Sequence, residues 1–369
     1  AQPIARIGFD VQDFVPQRLK VTLDSKDAVL KPGAEFEIGV ESRFLYGAPA
    51  AGLSGEGEIV ITSDSKPFPE LKGYRFGRVD ERFDAIYAPI SVDPTDASGK
   101  SRALGAIGPL NDTSLALKAT VRVSLFEPGG RTTDERLSFP VRTRAVMIGL
   151  KPMFDDDSVR EGTEAGFEVI AVDAAGKPVA RPGLTYELVR EEYDYRWYRT
   201  PEGEWRYESV QRDRIMKGGT IDVAADAPAK FGEVVQWGSY RLTVIDPASG
   251  ASTSLRFWGG WGAGAANDRP DRVAVLSDKP QYKPGETARL EIRAPTDGKA
   301  MVAIATDRII SSQMVDVSAS GTVVEIPVSA DWGGGAYALV THYRPLASAE
   351  TRAPVRAIGL TYPCSRPST

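Results

Sequence analysis

The chain has one histidine, His342, and one cysteine, Cys364. A Ser-His-Asp relay would have to use His342 as its base, and no Gly-x-Ser-x-Gly elbow presents a serine to it. His342 follows Ala338 and Val340 at two-residue spacing, so it reads as an ordinary strand residue on a shared face. Cys364 lies in Pro363-Cys364-Ser365-Arg366-Pro367 with no base beside it, which argues against a catalytic thiolate. One histidine and one cysteine are too few for an ordinary zinc site. Asp155-Asp156-Asp157 offers three carboxylates but lacks EF-hand spacing, and reads as a solvated acidic turn. The glycines at 259–264 do not join a strand to a helix, so they form no phosphate or dinucleotide loop. Asp and Glu are abundant, but a glycosidase pair is defined by a distance and not by sequence spacing. No cofactor and no metal is expected.

One segment stands out for recognition instead. Tyr193, Tyr195, Trp197, Tyr198, Trp205 and Tyr207 are interleaved with Arg, Asp and Glu around Pro201-Glu202-Gly203. The Pro-Glu-Gly turn signal predicts a β-hairpin with aromatics on both arms. Cross-strand aromatic pairs stabilise such a hairpin by about 0.2–1 kcal/mol each. Its two readings are a hairpin packed on its own sandwich or a neighbouring domain, and an exposed aromatic and arginine contact surface.

The elements that must position these residues are strands. Leu19, Val21 and Leu23 alternate with polar neighbours, as do Phe36, Ile38 and Val40, and the run Leu115 to Leu125. Period-two alternation puts one face on a core and the other in water, the pattern of antiparallel sandwiches. No window keeps a capped helical stripe, and 36 Gly and 26 Pro fit turn-dense β structure.

A strand-launching turn recurs three times, at Lys31-Pro32-Gly33, Glu161-Gly162-Thr163 and Lys283-Pro284-Gly285. Trp237-Gly238-Ser239-Tyr240 and Trp332-Gly333-Gly334-Gly335 are similar signals late in the second and third units. The repeat predicts an all-β chain of three tandem antiparallel β-sandwich domains. They are placed at 1–144, with extra loops between Asp64 and Pro109, at 145–264 with the aromatic hairpin, and at 265–362, followed by a tail at 363–369.

A length of 369 residues suits two or three domains. Net charge is −5 with 45 basic and 50 acidic residues, and no long basic run occurs, which argues against nucleic acid as a partner. No apolar stretch is long enough for a transmembrane helix, and Ala1-Gln2-Pro3-Ile4 does not read as a signal peptide. A single cysteine leaves the compartment open.

Phe9-Asp10-Val11-Gln12-Asp13-Phe14 with Leu45-Tyr46-Gly47-Ala48-Pro49-Ala50-Ala51-Gly52-Leu53 resembles the bacterial alpha-2-macroglobulins. So do Leu188-Val189-Arg190-Glu191-Glu192, Trp237-Gly238-Ser239-Tyr240-Arg241-Leu242, Phe257-Trp258-Gly259-Gly260-Trp261 and Arg356-Ala357-Ile358-Gly359-Leu360. The resemblance implies fibronectin-like macroglobulin sandwiches of seven strands each, and no enzyme. It implies a periplasmic parent, lipid-anchored to the membrane, that inhibits foreign endopeptidases by trapping them after bait cleavage, a role in bacterial defence. Its implied partners are proteases, neighbouring domains of the same chain and a periplasmic penicillin-binding protein. The family's Cys-x-Glu-Gln thioester motif is absent, since Ser365-Arg366-Pro367 follows Cys364. The bait-bearing domain is expected to begin beyond residue 369, leaving this chain as scaffold. On the residues alone, a stand-alone adhesion or carbohydrate-binding array and a carboxylate hydrolase stay open.

Overall fold

The structure, a computed structural model, describes residues 18–260, 271–318, 321–344 and 356–365, and of residues 193–197, 205, 207, 209, 364 and 365 it describes the backbone. The chain divides into two compact units, one of residues Ala1–Glu70 with Asp80–Ala145, the other of Leu71–Val79 with Val146–Thr369.

The first unit holds β1 (Leu19–Asp24), β2 (Glu35–Phe44) and β3 (Gly55–Ser63); β4 (Arg75–Phe76) belongs to the second unit. The first unit continues with β5 (Ile86–Val92), β6 (Lys100–Ala106), β7 (Leu117–Phe126) and β8 (Thr132–Val141). Its seven strands run in the order β1-β2-β6-β5-β3-β7-β8. β5 pairs through Ile86–Ile90 with β3, then through Ser91 and Val92 with β6. A strand that changes partners in this way carries the chain from one layer to the other. The alternation does what it predicts: Phe36, Ile38, Val40, Ile59, Ile61 and every second residue from Leu117 to Leu125 are buried in one core.

The second unit contains two further cores. β9 (Val146–Pro152), β10 (Ser158–Val159), β11 (Glu164–Asp173), β12 (Arg181–Arg199), β13 (Trp205–Val223), β14 (Ala229–Val234), β15 (Gly238–Ile245) and β16 (Ser252–Gly259) form two sheets with β4. Their orders are β10-β16-β15-β12-β13 and β14-β11-β9-β4. Between them Phe167 lies among Phe154, Phe231 and Phe257 with ring centres 5.6, 5.6 and 5.3 Å away. Such tilted and edge-on pairs add to the burial of apolar area.

The remaining strands are β17 (Ala274–Ser277), β18 (Gln281–Tyr282), β19 (Thr287–Arg293), β20 (Gly298–Ala305), β21 (Ile309–Val317), β22 (Thr322–Pro327), β23 (Tyr337–Tyr343), β24 (Arg356–Thr361) and β25 (Cys364–Ser365). They make the sheets β17-β19-β22 and β21-β20-β23-β24 around Leu290, Ile292, Val302, Val340 and Trp332. The only helical turn among the described residues is a short 3-10 turn at Ala330–Trp332. The expected strandless tail differs at one point: Cys364 and Ser365 pair in parallel with Gln281 and Tyr282. Backbone pairing needs no alternation of side chains, so a two-residue strand leaves no mark in the sequence.

The three launching turns are equivalent. The N–H groups of Gly33, Gly162 and Gly285 donate to the carbonyls of Ile107, Val235 and Val328, at 2.8 Å each time. All three glycines are left-handed, at φ 76°, 73° and 92°. Each turn launches the middle strand of a triplet: β1-β2-β6, β9-β11-β14 and β17-β19-β22. The sequence repeat is thus a repeat of backbone pairing.

Candidate functional site

β12 and β13 pair from Arg181↔Val223 to Arg199↔Trp205. The turn closes through Thr200 N–H to the Glu204 carbonyl at 2.8 Å and Gly203 N–H to the Thr200 carbonyl at 2.9 Å. β15 accompanies β12 only from Thr185 to Glu191. Beyond Glu191 the hairpin is a two-stranded ribbon among the described residues. Residues directly opposite share a face, and Trp197↔Tyr207 and Arg199↔Trp205 are opposite pairs. The register therefore puts positions 193, 195, 197, 205 and 207 on one face of the ribbon and position 198 on the other. Tyr198 is 48% exposed; the side chains of Tyr193, Tyr195, Trp197, Trp205 and Tyr207 lie outside the described residues.

Where the ribbon leaves the sheet, a carboxylate is buried that the sequence reading passes over. Glu191 accepts from Arg241 Nε at 3.1 Å, Arg256 Nε at 3.0 Å, Gln211 Nε2 at 3.2 Å and Ser239 Oγ at 3.3 Å. Its side chain is 2% exposed, although it stands on the sheet face opposite the core. Asp213 joins the cluster by pairing with Arg241 and accepting from Gln211 at 2.8 Å. The strands β12, β13, β15 and β16 are thus tied together at one charged point. The available signal was the density of charge around Arg190-Glu191-Glu192, but which acid is covered depends on the partner strands.

The segment read as extra loops contains a strap. β4 pairs with β9 through Arg75↔Leu150 and Phe76↔Gly149. Gly77 N–H donates to Thr253 Oγ1 at 3.0 Å, and Thr253 Oγ1 donates to the Ile148 carbonyl at 2.5 Å. Tyr74 donates to Glu168 Oε2 at 3.1 Å, and the Lys230 and Lys151 ammoniums bind the same carboxylate at 3.1 and 3.2 Å. Lys230 chiefly, then Lys151 and Tyr74, hold Glu168 below the usual carboxylate range. Burial first, then the Glu168 hydrogen bond, pushes Tyr74 up to about 12. The folded state favours the neutral phenol, so its contribution is full below pH 10 and fades as pH rises through about 12. Ultraviolet titration is expected to show a smaller late tyrosinate step in the Tyr74→Phe variant than in the parent, the remainder belonging to tyrosines such as Tyr282, also pushed up to about 12.

The candidates for chemistry are placed apart. His342 is 2% exposed beside Ala338 and Val340, which are fully buried. Its Nε2 has no partner among the described residues. Burial depresses its pKa, aided by Arg344, while hydrogen bonds to the backbone of Thr296 and Asp297 oppose the shift. A histidine neutral in the fold and chargeable when unfolded destabilises in acid: its contribution is full above pH 6.5 and is lost as pH falls below it. The loss of stability between about pH 7 and about pH 5 is expected to be smaller in His342→Leu than in the parent chain, measured by chemical unfolding. Asp156 and Asp157 sit in left-handed turn geometry, and Asp157 pairs with Arg75 at 2.5 Å. Among the described residues no cluster of three or more His, Cys, Asp or Glu could hold a metal ion.

Three domain families match the chain in succession. Residues 17–142 match the bacterial alpha-2-macroglobulin MG5 domain, residues 149–261 the bacterial macroglobulin domain 6, and residues 273–364 the alpha-2-macroglobulin bait region domain. The chain belongs to the bacterial alpha-2-macroglobulin family. The alpha-2-macroglobulin of Xylella fastidiosa (strain 9a5c) is 32% identical over 379 residues, covering 98% of this chain and 22% of that protein. That of Escherichia coli (strain K12) is 31% identical over 378 residues, covering 96% of this chain and 23% of that protein. The chain spans about a fifth of the length of these relatives. The Salmonella alpha-2-macroglobulin reacted with methylamine superposes with a TM-score of 0.61 at 29% identity, over 95% of this chain and 23% of that one. The native E. coli alpha-2-macroglobulin gives 0.60 at 29%, over 96% and 23%. One expectation changes. The bait-bearing domain was expected beyond residue 369, whereas the bait region domain matches residues 273–364. Its strand pattern is that of another sandwich, which is why alternation alone does not separate it from the other two.

Proposed function

We propose that this chain is the part of a periplasmic, protease-trapping alpha-2-macroglobulin that carries its bait region domain on two macroglobulin sandwiches. Its work is mechanical. The sandwiches hold the bait domain in place, and bait cleavage changes how the parts of the parent are arranged. The observation that carries this reading is the match of residues 273–364 to the bait region domain, in series with the MG5 and MG6 matches. The E. coli relative solved in trypsin-activated form has the same fold over 95% of this chain, with a TM-score of 0.51 at 28% identity.

Exposure of the full-length parent to trypsin tests the reading. A first cut within 273–364, followed by a change in sedimentation, is the expected result. First cuts elsewhere, with no change in hydrodynamic size, would remove it. The location is tested by fractionating cells: release with the periplasm, or retention on the membrane through an anchor, is expected. The resemblance to the family supports this location. Within the same reading, the face bearing Tyr193, Tyr195, Trp197, Trp205 and Tyr207 is a contact surface for another domain of the parent. An isolated two-stranded ribbon is marginal in water, which favours a partner.

A further inference from the structure

The second launching turn departs from the other two. Pro32 and Pro284 precede the glycine in the first and third, but Glu161 stands there in the second. A proline at that place can only pack, whereas a carboxylate can reach. Glu161 Oε2 accepts from Arg293 Nη2 at 2.8 Å, and Oε1 accepts the backbone N–H of Trp237 at 3.3 Å. Arg293 ends β19, on the far side of the glycine-rich joint from Glu161 and Trp237.

The arginine is held on several sides. Its side chain is 5% exposed. Its Nε donates to Glu291 at 2.7 Å, and its guanidinium carbon lies 4.1 Å from the centre of the Trp237 ring. Trp237 is braced edge-on by Trp258, with centres 5.1 Å apart and planes at 88°. Gly321 closes the seat at φ +111°, where a Cβ would come within 2.7 Å of Arg293 Cζ. A residue with a side chain there would push the guanidinium off the indole.

We propose that Arg293, Glu161 and Trp237 form a latch that locks the second and third sandwiches into one rigid body. Domains of one chain move against each other by default unless their interface prevents it. Here a planar fork makes directed hydrogen bonds at its edge while its face stacks on an indole, and both constraints must break together. The low exposure of Arg293 leaves little screening by salt. The bait region domain would then share the motion of the sandwich before it. The latch stands on its own contacts and does not depend on the protease-trap reading.

Two spin labels measure it, at Lys177→Cys in the second sandwich and Ser312→Cys in the third, in the full chain carrying Cys364→Ser. Both labelled positions are exposed. The parent is expected to give one narrow distance distribution. Glu161→Gln, and separately Arg293→Lys, are expected to broaden it about twofold while the far-ultraviolet circular dichroism of the folded chain is kept. Glu161 is 41% exposed and belongs to no core cluster, so its replacement leaves the sandwiches folded. A distribution in Glu161→Gln as narrow as in the parent would overturn the latch, whatever the arginine variant does.

Discussion

Glu191→Ala is expected to destabilise the second sandwich by about 3 kcal/mol, the low end of the cost of breaking a buried ion pair by removing one partner. Two facts set the size. The carboxylate is 2% exposed and accepts from four side chains, so its loss removes four bonds at once, and Arg241, 12% exposed, has the least water to turn to. Arg256 is 42% exposed and keeps access to solvent, and Arg241 keeps Asp213, which holds the cost down. Glu191→Gln retains an acceptor and is expected to lose less. Urea unfolding would read this as a lower midpoint at unchanged slope. The comparison is Asp316→Ala, which removes the exposed pair to Lys299, with side chains 84% and 65% exposed, and is expected to cost below about 0.5 kcal/mol. If the two variants unfolded at the same denaturant concentration, Glu191 would be an ordinary surface charge and the account of the hairpin base would fail.

Trp332→Ala carries the second large effect, about 3–5 kcal/mol, because a large buried aromatic is replaced by a cavity. Trp332 is 1% exposed in the third core. A domain whose whole stability is about 5–15 kcal/mol loses much of it by such a change. Trp237 heads the similar Trp-Gly signal in the second unit, and the outcome there is expected to be different. It lies half-buried, stacked on Arg293 and edge-on to Trp258, so Trp237→Ala is expected to cost about 1 kcal/mol in unfolding and to act mainly on the joint. Equal losses from the two tryptophans would contradict this assignment.

The contrast between those tryptophans shows where sequence reading stops. Both precede a glycine and an alternating strand, and both were read as one repeated signal. One enters a core and the other lies across a joint. Nothing in either tetrapeptide distinguishes them, because the difference lies in what packs against each ring. The aromatic hairpin divides in a similar way. Its turn and arms were legible from Pro201-Glu202-Gly203, and the structure closes the turn there. The separation of Tyr198 from the other five positions needed the register of β12 on β13.

Alternation determined which residues face a core, since side-chain direction along a strand is a local property with a period of two. Leu117, Ala119, Val121, Val123 and Leu125 are all fully buried, as their spacing requires. The launching turns were equally local, because a left-handed glycine and the turn closed across it, as by Ala34 N–H on the Lys31 carbonyl at 3.2 Å, belong to a few adjacent residues. These determined an all-β chain of repeated sandwiches, while its family showed in the resemblance of longer stretches such as Leu45-Tyr46-Gly47-Ala48-Pro49-Ala50-Ala51-Gly52-Leu53. Only the tertiary structure decided that residues 71–79 strap the edge of β9, that Glu191 is covered on an outer sheet face, and that Glu161 meets Arg293. The physical reason is common to all three. A strand edge offers the same N–H and C=O groups whatever its side chains, and a carboxylate reaches any cation brought within about 3 Å. Such partners are chosen by proximity in space, which no local period records.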